Sequence, residues 1–300
     1  MAVTMRRVLS AAVLVCLAGA GIRAAILDEA KSAVPSSGAV PSVPALADQK
    51  SVRFADIQKA AERYHIKVTA KAVDWADRHV QGLDKVGEEY RLPIYYVISR
   101  LHKRLVAWRM YKPFYDRLYQ NKEFAKNNPF FVNPNEEPYL VIILKDQKLT
   151  DLPPYRKFAG KTIEDVFGYA GDHRLMDNLG GEGSRGALIV SQKRLRVLPQ
   201  GVYNTFYHEM GHVLHLTLLL PGELEQLEWL YAQSKRKNNF ITDYAASSPS
   251  EYMACSFEAY LSETKEHEPY QNWAPYMHTR AELEKKDPDL VKFIAGLLED

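Results

Sequence analysis

The pentapeptide His208–His212, which reads HEMGH, places the tightest constraint on how this chain can fold. It lies within Val202 to Leu220, a stretch whose apolar periodicity predicts a helix. Four residues turn an α-helix by about 400°, so His208 and His212 emerge on one side, one turn apart, where they can hold the same metal ion. The apolar face of this helix lies on the other side. It consists of Phe206, Met210, Val213, Leu214 and Thr217.

Glu209 lies beside the two histidines, where it can take a proton from a water activated by the metal and pass it to a leaving amine. This is the chemistry of metal-assisted amide hydrolysis. The alternative is that His208 and His212 are only exposed or hydrogen-bonded residues on the polar side of the helix. His215 shares their face but lies about 10.5 Å along the axis from His208, too far for both to reach one ion.

A catalytic zinc site needs a third protein ligand and an open position for water. Glu251, in the segment Thr242 to Ala254, is the candidate for this ligand. However, Ser248, Pro249 and Glu251 also have the pattern of the N-cap, first and third positions of a new helix, which would make Glu251 part of a capping box. The residues alone leave both roles open.

The two segments together resemble the gluzincin peptidases related to anthrax lethal factor, the Pro-Pro endopeptidases and the Mlc titration factor peptidases. The resemblance rests on HExxH at His208–His212 and on YAAxxPxExxA at Tyr244–Ala254, within the last third of the chain. It implies an α+β, mostly helical, zincin-like fold with a small sheet and one Zn²⁺ per chain. It also implies that His208, His212 and Glu251 bind the zinc, and that the Tyr244 hydroxyl faces the oxyanion of the substrate.

This chain departs from the family pattern at one position. The lethal-factor branch has a second acidic residue four positions after the ligand, where this chain has Cys255. The next acidic residue on that helix face is Glu258, so the group that would orient a ligand histidine stays unassigned. Cys255 itself is expected to pack in the core, as a lone small residue in an apolar helix usually does.

Residues 1–20 have the pattern of an export signal peptide. Arg6 and Arg7 precede an apolar stretch, and Ala18–Ala20 forms an A-x-A cleavage site. The apolar run Val8–Ile22 is shorter than the roughly 20 residues that a membrane anchor needs. We therefore expect cleavage near Gly21, no transmembrane span in the mature chain, and a secreted, periplasmic or cell-surface location.

Charge and cysteine content narrow the function classes further. The chain has 39 Lys+Arg against 37 Asp+Glu, a formal net charge of +2, so net charge provides no argument for a nucleic-acid partner. With 46% hydrophobic and 25% charged residues, its composition is that of a globular protein. Once Cys16 leaves with the signal peptide, Cys255 remains as the single cysteine, so an intrachain disulfide is excluded.

The rest of the chain divides into three expected parts. Residues 21–50, rich in Ala, Ser, Pro and Val, are expected to be a flexible linker. Residues 51–128 are expected to form a helical accessory region of three or four helices. Its segment 91–126 carries nine basic residues with interleaved aromatics, so it is either a binding surface for an anionic polymer or a solvated basic face. Residues 129–300 are expected to form the metallopeptidase domain.

Within 129–300 the pattern predicts strands at Pro138–Leu144 and Ala187–Val190, with Gly180–Gly186 as a mobile loop between them. In the resembling peptidases a strand in the place of Ala187–Val190 is an edge strand that pairs with extended substrate, although a plain core strand is an equal alternative. Helices are predicted after the metal-binding helix. They cover Glu223–Ser234, Pro249–Ser262 and Ala281–Leu298.

These observations predict an exported zinc endopeptidase that acts on proteins or peptides, with Glu209 as general base. One alternative is a non-catalytic envelope or surface-binding protein, in which the zinc site is structural and the basic aromatic helices bind a partner. Another alternative keeps the hydrolase and changes its substrate to something other than a peptide.

Overall fold

The computed structural model describes residues 44–122, 138–168, 171–195, 204–262 and 279–298. Most of these residues are helical, and they include one small mixed sheet, which confirms the expected α+β class. The predicted signal peptide 1–20 lies outside the described residues. No helix within the described ranges has both the length and the apolar character that a membrane span requires.

Four helices precede the main part of the sheet, as predicted for the region after residue 50. They are α1 (Pro44–Glu62), α2 (Ala70–His79), α3 (Glu88–Val106) and α4 (Trp108–Gln120). Helix α1 begins inside the segment that was expected to be a linker. Thr69 caps α2 by accepting a hydrogen bond from the Ala72 backbone N–H, which satisfies one of the free donors of the first turn.

Within the part of the chain that the structure describes, the sheet contains four strands in the order β1-β2-β4-β3. They are β1 (Val80–Gln81), β2 (Tyr139–Ile143), β3 (Gly181–Ser184) and β4 (Ala187–Ser191). Strands β1, β2 and β4 are parallel, and β3 pairs antiparallel with β4. The expectation of a mobile loop at Gly180–Gly186 is therefore wrong, because most of it is strand β3. Of the two alternatives for Ala187–Val190, the plain core strand is the one found, because β4 lies between β2 and β3.

A tight turn explains why the glycine-rich segment forms a strand. Only Arg185 and Gly186 separate β3 from β4. Gly186 adopts φ of 78°, a backbone conformation that residues with a Cβ rarely take. The chain can therefore reverse within two residues, and the backbone of β3 is satisfied by pairing with β4 from Gly181↔Val190 to Ser184↔Ala187.

Among the remaining helices, α5 (Ile163–Phe167) was not predicted, and the others follow the predicted order with shifted ends. These others are α6 (Thr205–Val213), α7 (Pro221–Lys237), α8 (Pro249–Leu261), α9 (Arg280–Lys286) and α10 (Pro288–Leu298). The helix predicted to Leu220 passes after α6 into a π-helical turn, Leu214–Leu218. Pro221 begins α7 instead of only ending the previous helix, as a proline at the first helical position can. The last predicted helix is divided at Asp287, before Pro288.

Alternate side chains of the central strands enter two hydrophobic clusters on opposite faces of the sheet. Leu140, Ile142 and Leu188 belong to the larger cluster, which contains residues of α2, α3, α6, α7, α8 and α10. Val141 and Ile189 belong to a smaller cluster with Tyr155 and Met176. The larger cluster spans both sides of the predicted boundary at residue 128, so the helical region and the rest of the chain share one core.

Helix α4 holds the chain just after α6 in place. The buried Tyr115 hydroxyl donates a hydrogen bond to the Leu219 carbonyl (2.8 Å) and accepts one from the Leu219 backbone N–H (3.1 Å). In α3, the buried Arg104 donates to the Leu218 carbonyl and forms a two-oxygen ion pair with Glu223. These contacts give the early helices a direct role in positioning the segment that carries the histidines.

Several basic residues of the region 91–126 form hydrogen bonds and ion pairs with other parts of the protein. Besides Arg104, Asp116 pairs with both Lys112 and Arg185, and Arg91 donates to the carbonyls of Val86 and Asp84. Several aromatic residues of the region are buried, namely Tyr95, Tyr96, Trp108 and Tyr115. These contacts favour the alternative of a basic face opposite an aromatic core over a binding surface for an anionic polymer.

Candidate metal centre

Helix α6, which carries the HEMGH run, is buried along its whole length between strand β3 and helix α8. Asn204 caps it by accepting hydrogen bonds from the backbone N–H groups of Phe206 and Tyr207. His208 and His212 are only 3% and 7% exposed. They are therefore not exposed residues on a solvated face, which was one of the alternatives left open by the sequence.

The two histidines point at a single oxygen of Glu251. His208 Nε2 lies 3.2 Å and His212 Nε2 lies 3.4 Å from Glu251 Oε2. Ligands bound tetrahedrally at about 2.1 Å from a zinc ion lie about 3.4 Å from one another, so these distances fit a shared ion. Glu251 Oε2 is buried and has no hydrogen-bond partner among the described residues, which a bound cation would satisfy.

Glu251 combines the two roles that the sequence left open. Ser248 is the N-cap of α8, and its hydroxyl accepts a hydrogen bond from the Glu251 backbone N–H (3.1 Å). The Glu251 carboxylate is directed at the imidazoles. Burial alone would raise the pKa of Glu251, but the neighbouring His212 and His208 outweigh burial and lower it. The carboxylate is therefore ionised, as a metal ligand must be.

Tyr244 lies at the open side of this group. Its hydroxyl donates a hydrogen bond to Glu251 Oε1 (2.8 Å), and its ring stacks on the His208 ring with centroids 6.1 Å apart. The residue is 51% exposed, in contrast to the buried histidines. Burial of its hydroxyl and the charge of Glu251 raise the pKa of Tyr244, so it keeps its proton and can donate a hydrogen bond.

Glu209 lies between the histidines and strand β3. Burial raises the pKa of Glu209, the imidazoles of His208 and His212 counter this effect, and the Gly183 backbone N–H donates a hydrogen bond to its carboxylate. Strand β3 approaches so closely that a Cβ on Gly181 would overlap the Glu209 carboxylate. The glycines of this strand are therefore needed for the close approach of a backbone to the candidate site.

Behind each imidazole lies a polar residue of α8 whose role the sequence left open, hydrogen-bonded at His212 and at ion-pair distance at His208. The Ser250 hydroxyl lies 2.8 Å from His212 Nδ1. Glu258 Oε2 lies 3.6 Å from His208 Nδ1, while Glu258 Oε1 accepts a 2.6 Å hydrogen bond from the Asn204 backbone N–H. Partners of this kind fix which nitrogen faces a metal. The sequence signal was the spacing of Glu258, two helical turns after Glu251 on the same face of α8.

Cys255 also belongs to this cluster. The ligand atoms of His208, Glu251 and Cys255 all lie within 4.8 Å of one another, and this buried group could hold a metal ion. The predicted set and this set therefore overlap at His208 and Glu251 and differ in whether His212 or Cys255 completes them. Cys255 packs in the core as expected, being 2% exposed, and burial raises the pKa of its thiol.

His215 lies away from this group, as its spacing predicts. It sits in the π-helical turn after α6, is 3% exposed, and its Nδ1 has no hydrogen-bond partner among the described residues. Burial and the nearby His212 lower the pKa of His215 to about 3, so the ring is neutral at ordinary pH.

No protein-family model matches this chain, and no curated protein matches it either. The functional argument therefore depends on the residues and their geometry. That geometry brings together the buried imidazoles of His208 and His212, the buried carboxylate of Glu209, the partly exposed carboxylate of Glu251, and an exposed tyrosine, Tyr244.

Proposed function

We propose that this protein is an exported zinc-dependent peptidase of the gluzincin type with a zincin-like catalytic domain. The observation that carries the proposal is the convergence of His208 Nε2 and His212 Nε2 on Glu251 Oε2, at 3.2 and 3.4 Å, beside the buried carboxylate of Glu209. Two imidazoles and one carboxylate are the ligand set of several catalytic zinc sites, in which a fourth position stays open. The export part of the proposal depends on residues 1–20 alone.

His208, His212 and Glu251 would hold the zinc. A zinc ion at this position supplies a Lewis acid, which acidifies water and polarises the carbonyl of the bond to be cleaved. The Ser250 hydroxyl hydrogen-bonds His212 Nδ1 and keeps its Nε2 directed at Glu251, while Glu258 Oε2 lies 3.6 Å from His208 Nδ1, where its charge favours the same orientation. The short distances between the ligand atoms mean that little rearrangement is needed to bind an ion.

Glu209 moves the proton in this proposal. Burial raises the pKa of Glu209, which makes its carboxylate a better acceptor for a proton from the attacking water, and the acid so formed can pass that proton to the leaving amine. The hydrogen bond from the Gly183 backbone N–H holds its carboxylate in position throughout. A purely structural metal site has no need for a buried carboxylate at this place.

Tyr244 stabilises the carbonyl oxygen of the substrate as it becomes negative. Its hydroxyl is protonated and lies 2.8 Å from Glu251 Oε1, next to the ligand cluster. On substrate binding the hydroxyl can exchange this carboxylate for the developing oxyanion, which is the stronger acceptor. The exposure of the ring supports access from solvent.

An extended peptide can bind along β3. This strand is the edge of the sheet and lies directly against α6, so a peptide paired with it would run beside Glu209 and the histidines. Main-chain hydrogen bonds to an edge strand align peptides irrespective of their side chains. Gly181–Ser184, and not Ala187–Val190, is therefore the strand proposed to pair with substrate.

The experiment compares purified wild type, Glu209→Gln and Tyr244→Phe in cleavage of a peptide library, with zinc content measured for each. We expect Glu209→Gln to lose cleavage and keep its zinc. Tyr244→Phe should lower turnover by about 10²- to 10³-fold, the usual effect of one oxyanion donor, and also keep its zinc. Cleavage that survives Glu209→Gln would refute the proposal.

One observation favours a second candidate, a non-catalytic binding protein with a structural metal site. Cys255 brings a sulfur into the cluster, and sulfur ligands are typical of structural zinc sites. A wild-type protein that binds zinc tightly but cleaves no peptide in the library would support this candidate. The buried Glu209 argues for the peptidase.

A further inference from the structure

Cys255 and Glu251 share one face of helix α8, because they are one helical turn apart. Both side chains lie close to His208 of α6. The three ligand atoms lie within 4.8 Å of one another although they come from two different helices. The packing of α8 against α6 therefore places the Cys255 thiol beside the candidate metal ligands.

A second observation points to a cation in the same place. Glu258 is 2% exposed, and its Oε2 has no hydrogen-bond partner among the described residues. This atom lies 3.6 Å from His208 Nδ1, and the likewise unpartnered Glu251 Oε2 lies 3.2 Å from His208 Nε2. Two buried carboxylate oxygens without a hydrogen-bond partner, one beside each nitrogen of His208, favour a positively charged ligand in this cluster.

The geometry suits a metal that binds sulfur. With a metal–sulfur bond of about 2.3 Å and metal–nitrogen or metal–oxygen bonds of about 2.1 Å, the sulfur lies about 3.6 Å from the other tetrahedral ligands. The present separations of up to 4.8 Å need to shorten by roughly 1 Å, within the reach of side-chain rotation. A thiolate, a carboxylate and a neutral imidazole also balance the charge of a divalent ion in a buried site.

We propose that His208, Glu251 and Cys255 form a second metal-binding set, selective for thiophilic divalent cations such as Cd²⁺, which excludes zinc from the His208–His212–Glu251 set because the two sets share two ligands. On binding, the sulfur–metal bond forms and the thiol proton passes to solvent. Soft thiolate ligands select such metals over those that prefer oxygen. The inference goes beyond the proposed peptidase function. It rests on that function only in naming His208, His212 and Glu251 as the zinc ligands that compete.

The experiment titrates metal-free full-length protein with Cd²⁺ and records the ultraviolet thiolate-to-cadmium charge-transfer band. Wild type should develop the band as one Cd²⁺ binds per chain, and bound zinc should be released as Cd²⁺ is added. Cys255→Ser, which is close in size, should lose the band. Loss of a residue that only hydrogen-bonds a metal ligand lowers metal affinity by roughly 10- to 100-fold. Because Cys255→Ser removes a ligand itself, its Cd²⁺ affinity should fall by at least as much.

Two matched variants sharpen the test. Cys16→Ser removes the other cysteine and should keep the band, whereas His208→Ala should lose it. His212→Ala should also keep the band, because His212 belongs to the zinc set alone. Circular dichroism of each variant checks that the fold is retained, and a conservative Cys255→Ala repeats the test if Cys255→Ser unfolds.

Three results would overturn the inference: Cd²⁺ bound without the band, no Cd²⁺ binding, or a band that survives in folded Cys255→Ser. These results are independent of peptide cleavage. A protein that cleaves peptides with zinc but shows no band refutes this inference and leaves the peptidase proposal standing. A protein that shows the Cys255-dependent band but never cleaves a peptide refutes the peptidase proposal alone.

Discussion

At the scale of single residues, the candidate centre depends on groups behind the histidines as much as on the histidines themselves. The Ser250 hydroxyl lies at hydrogen-bond distance from His212 Nδ1. Glu258 Oε2 lies 3.6 Å from His208 Nδ1, and Glu258 Oε1 accepts a hydrogen bond from the backbone N–H of the N-cap residue Asn204. A neutral imidazole presents one lone pair, and a partner at its other nitrogen directs that lone pair towards a metal. Both groups come from helix α8.

Replacing Glu258 with Gln should lower zinc affinity by roughly 10- to 100-fold, the usual effect of losing an outer partner of a metal-bound histidine. The amide oxygen can still accept the hydrogen bond from the Asn204 N–H, so the fold should survive. Competition with a chelator of known affinity measures the effect. Glu284→Gln, at an exposed position in α9, is the matched control. Equal zinc affinity in wild type and Glu258→Gln would show that Glu258 does not orient His208.

At the scale of secondary structure elements, the contact between β3 and α6 decides the geometry around Glu209. The two elements are so close that a Cβ on Gly183 would overlap the Glu209 carbonyl and the His212 Cβ. Because both neighbours belong to a buried helix, they cannot move aside as the end of a flexible side chain could. The strand would have to shift away from α6, or the helix would have to move.

Gly183→Ala should therefore destabilise the protein by about 1–3 kcal/mol and weaken zinc binding, since the shift displaces His212. Gly296→Ala is the matched control, because this glycine lies in α10 and a Cβ there would have no atom within 4 Å. The control should be neutral or stabilising by up to about 1 kcal/mol, as expected for Gly to Ala in a helix. Urea unfolding and zinc titration of both variants provide the comparison, and equal behaviour would contradict the close packing.

The opposite face of β3 carries a buried acid. Burial raises the pKa of Glu182 to about 7, the Tyr155 and Ser184 hydroxyls counter this effect, and the charge of Glu209 adds to it. Tyr155 donates a 2.9 Å hydrogen bond to Glu182 Oε1. The folded state therefore holds a proton on Glu182 at pH values where the unfolded chain has lost it.

The sign of the resulting pH dependence follows from this pKa. Since the folded pKa is the higher one, the contribution of Glu182 to stability is present in full below pH 4.5 and is lost as the pH rises through about 7. This loss amounts to about 3 kcal/mol. Glu182→Gln should remove it, so the variant gains stability relative to wild type between pH 5 and pH 8 in urea unfolding. A stability difference that is the same at both pH values would contradict the buried-acid interpretation.

At the scale of the whole molecule, the early helices share one hydrophobic core with the part that carries the candidate metal centre. Strand β1 extends the sheet from the helical side, Tyr115 holds Leu219, and Arg104 joins Leu218 and Glu223. The larger hydrophobic cluster contains residues from both parts. Removing the early helices would expose this apolar surface and leave Glu223 without its buried partner.

A chain of residues 129–300 should therefore fail to fold cooperatively, although it contains the whole ligand cluster. Residues 44–300 should unfold in one cooperative transition. Urea unfolding followed by circular dichroism distinguishes the two chains, and gel filtration shows whether the shorter one aggregates. A stable, zinc-binding 129–300 fragment would establish the two-domain division that the sequence suggested.

Prediction from sequence succeeded where the signal is local. The spacing HEMGH places His208 and His212 on one side of a helix, and the S-P-x-E pattern begins a helix at Pro249, as the structure has it. The strands near residues 139–143 and 187–191 were also predicted from their apolar runs. The glycine-rich strand β3 was missed, because glycine has low strand propensity and its pairing with β4 depends on a two-residue turn.

The sequence by itself determined the side of the helix on which His208 and His212 lie, the start of α8 at Pro249, and the class of chemistry that two imidazoles and a glutamate at this spacing can support. Only the tertiary structure decided which groups meet. Glu251, Cys255 and Glu258 lie on a helix separated from α6 by α7, so no periodicity could place them around His208. The physical reason is that backbone geometry repeats every few residues and can be read locally, whereas contacts between elements follow from the packing of the whole core.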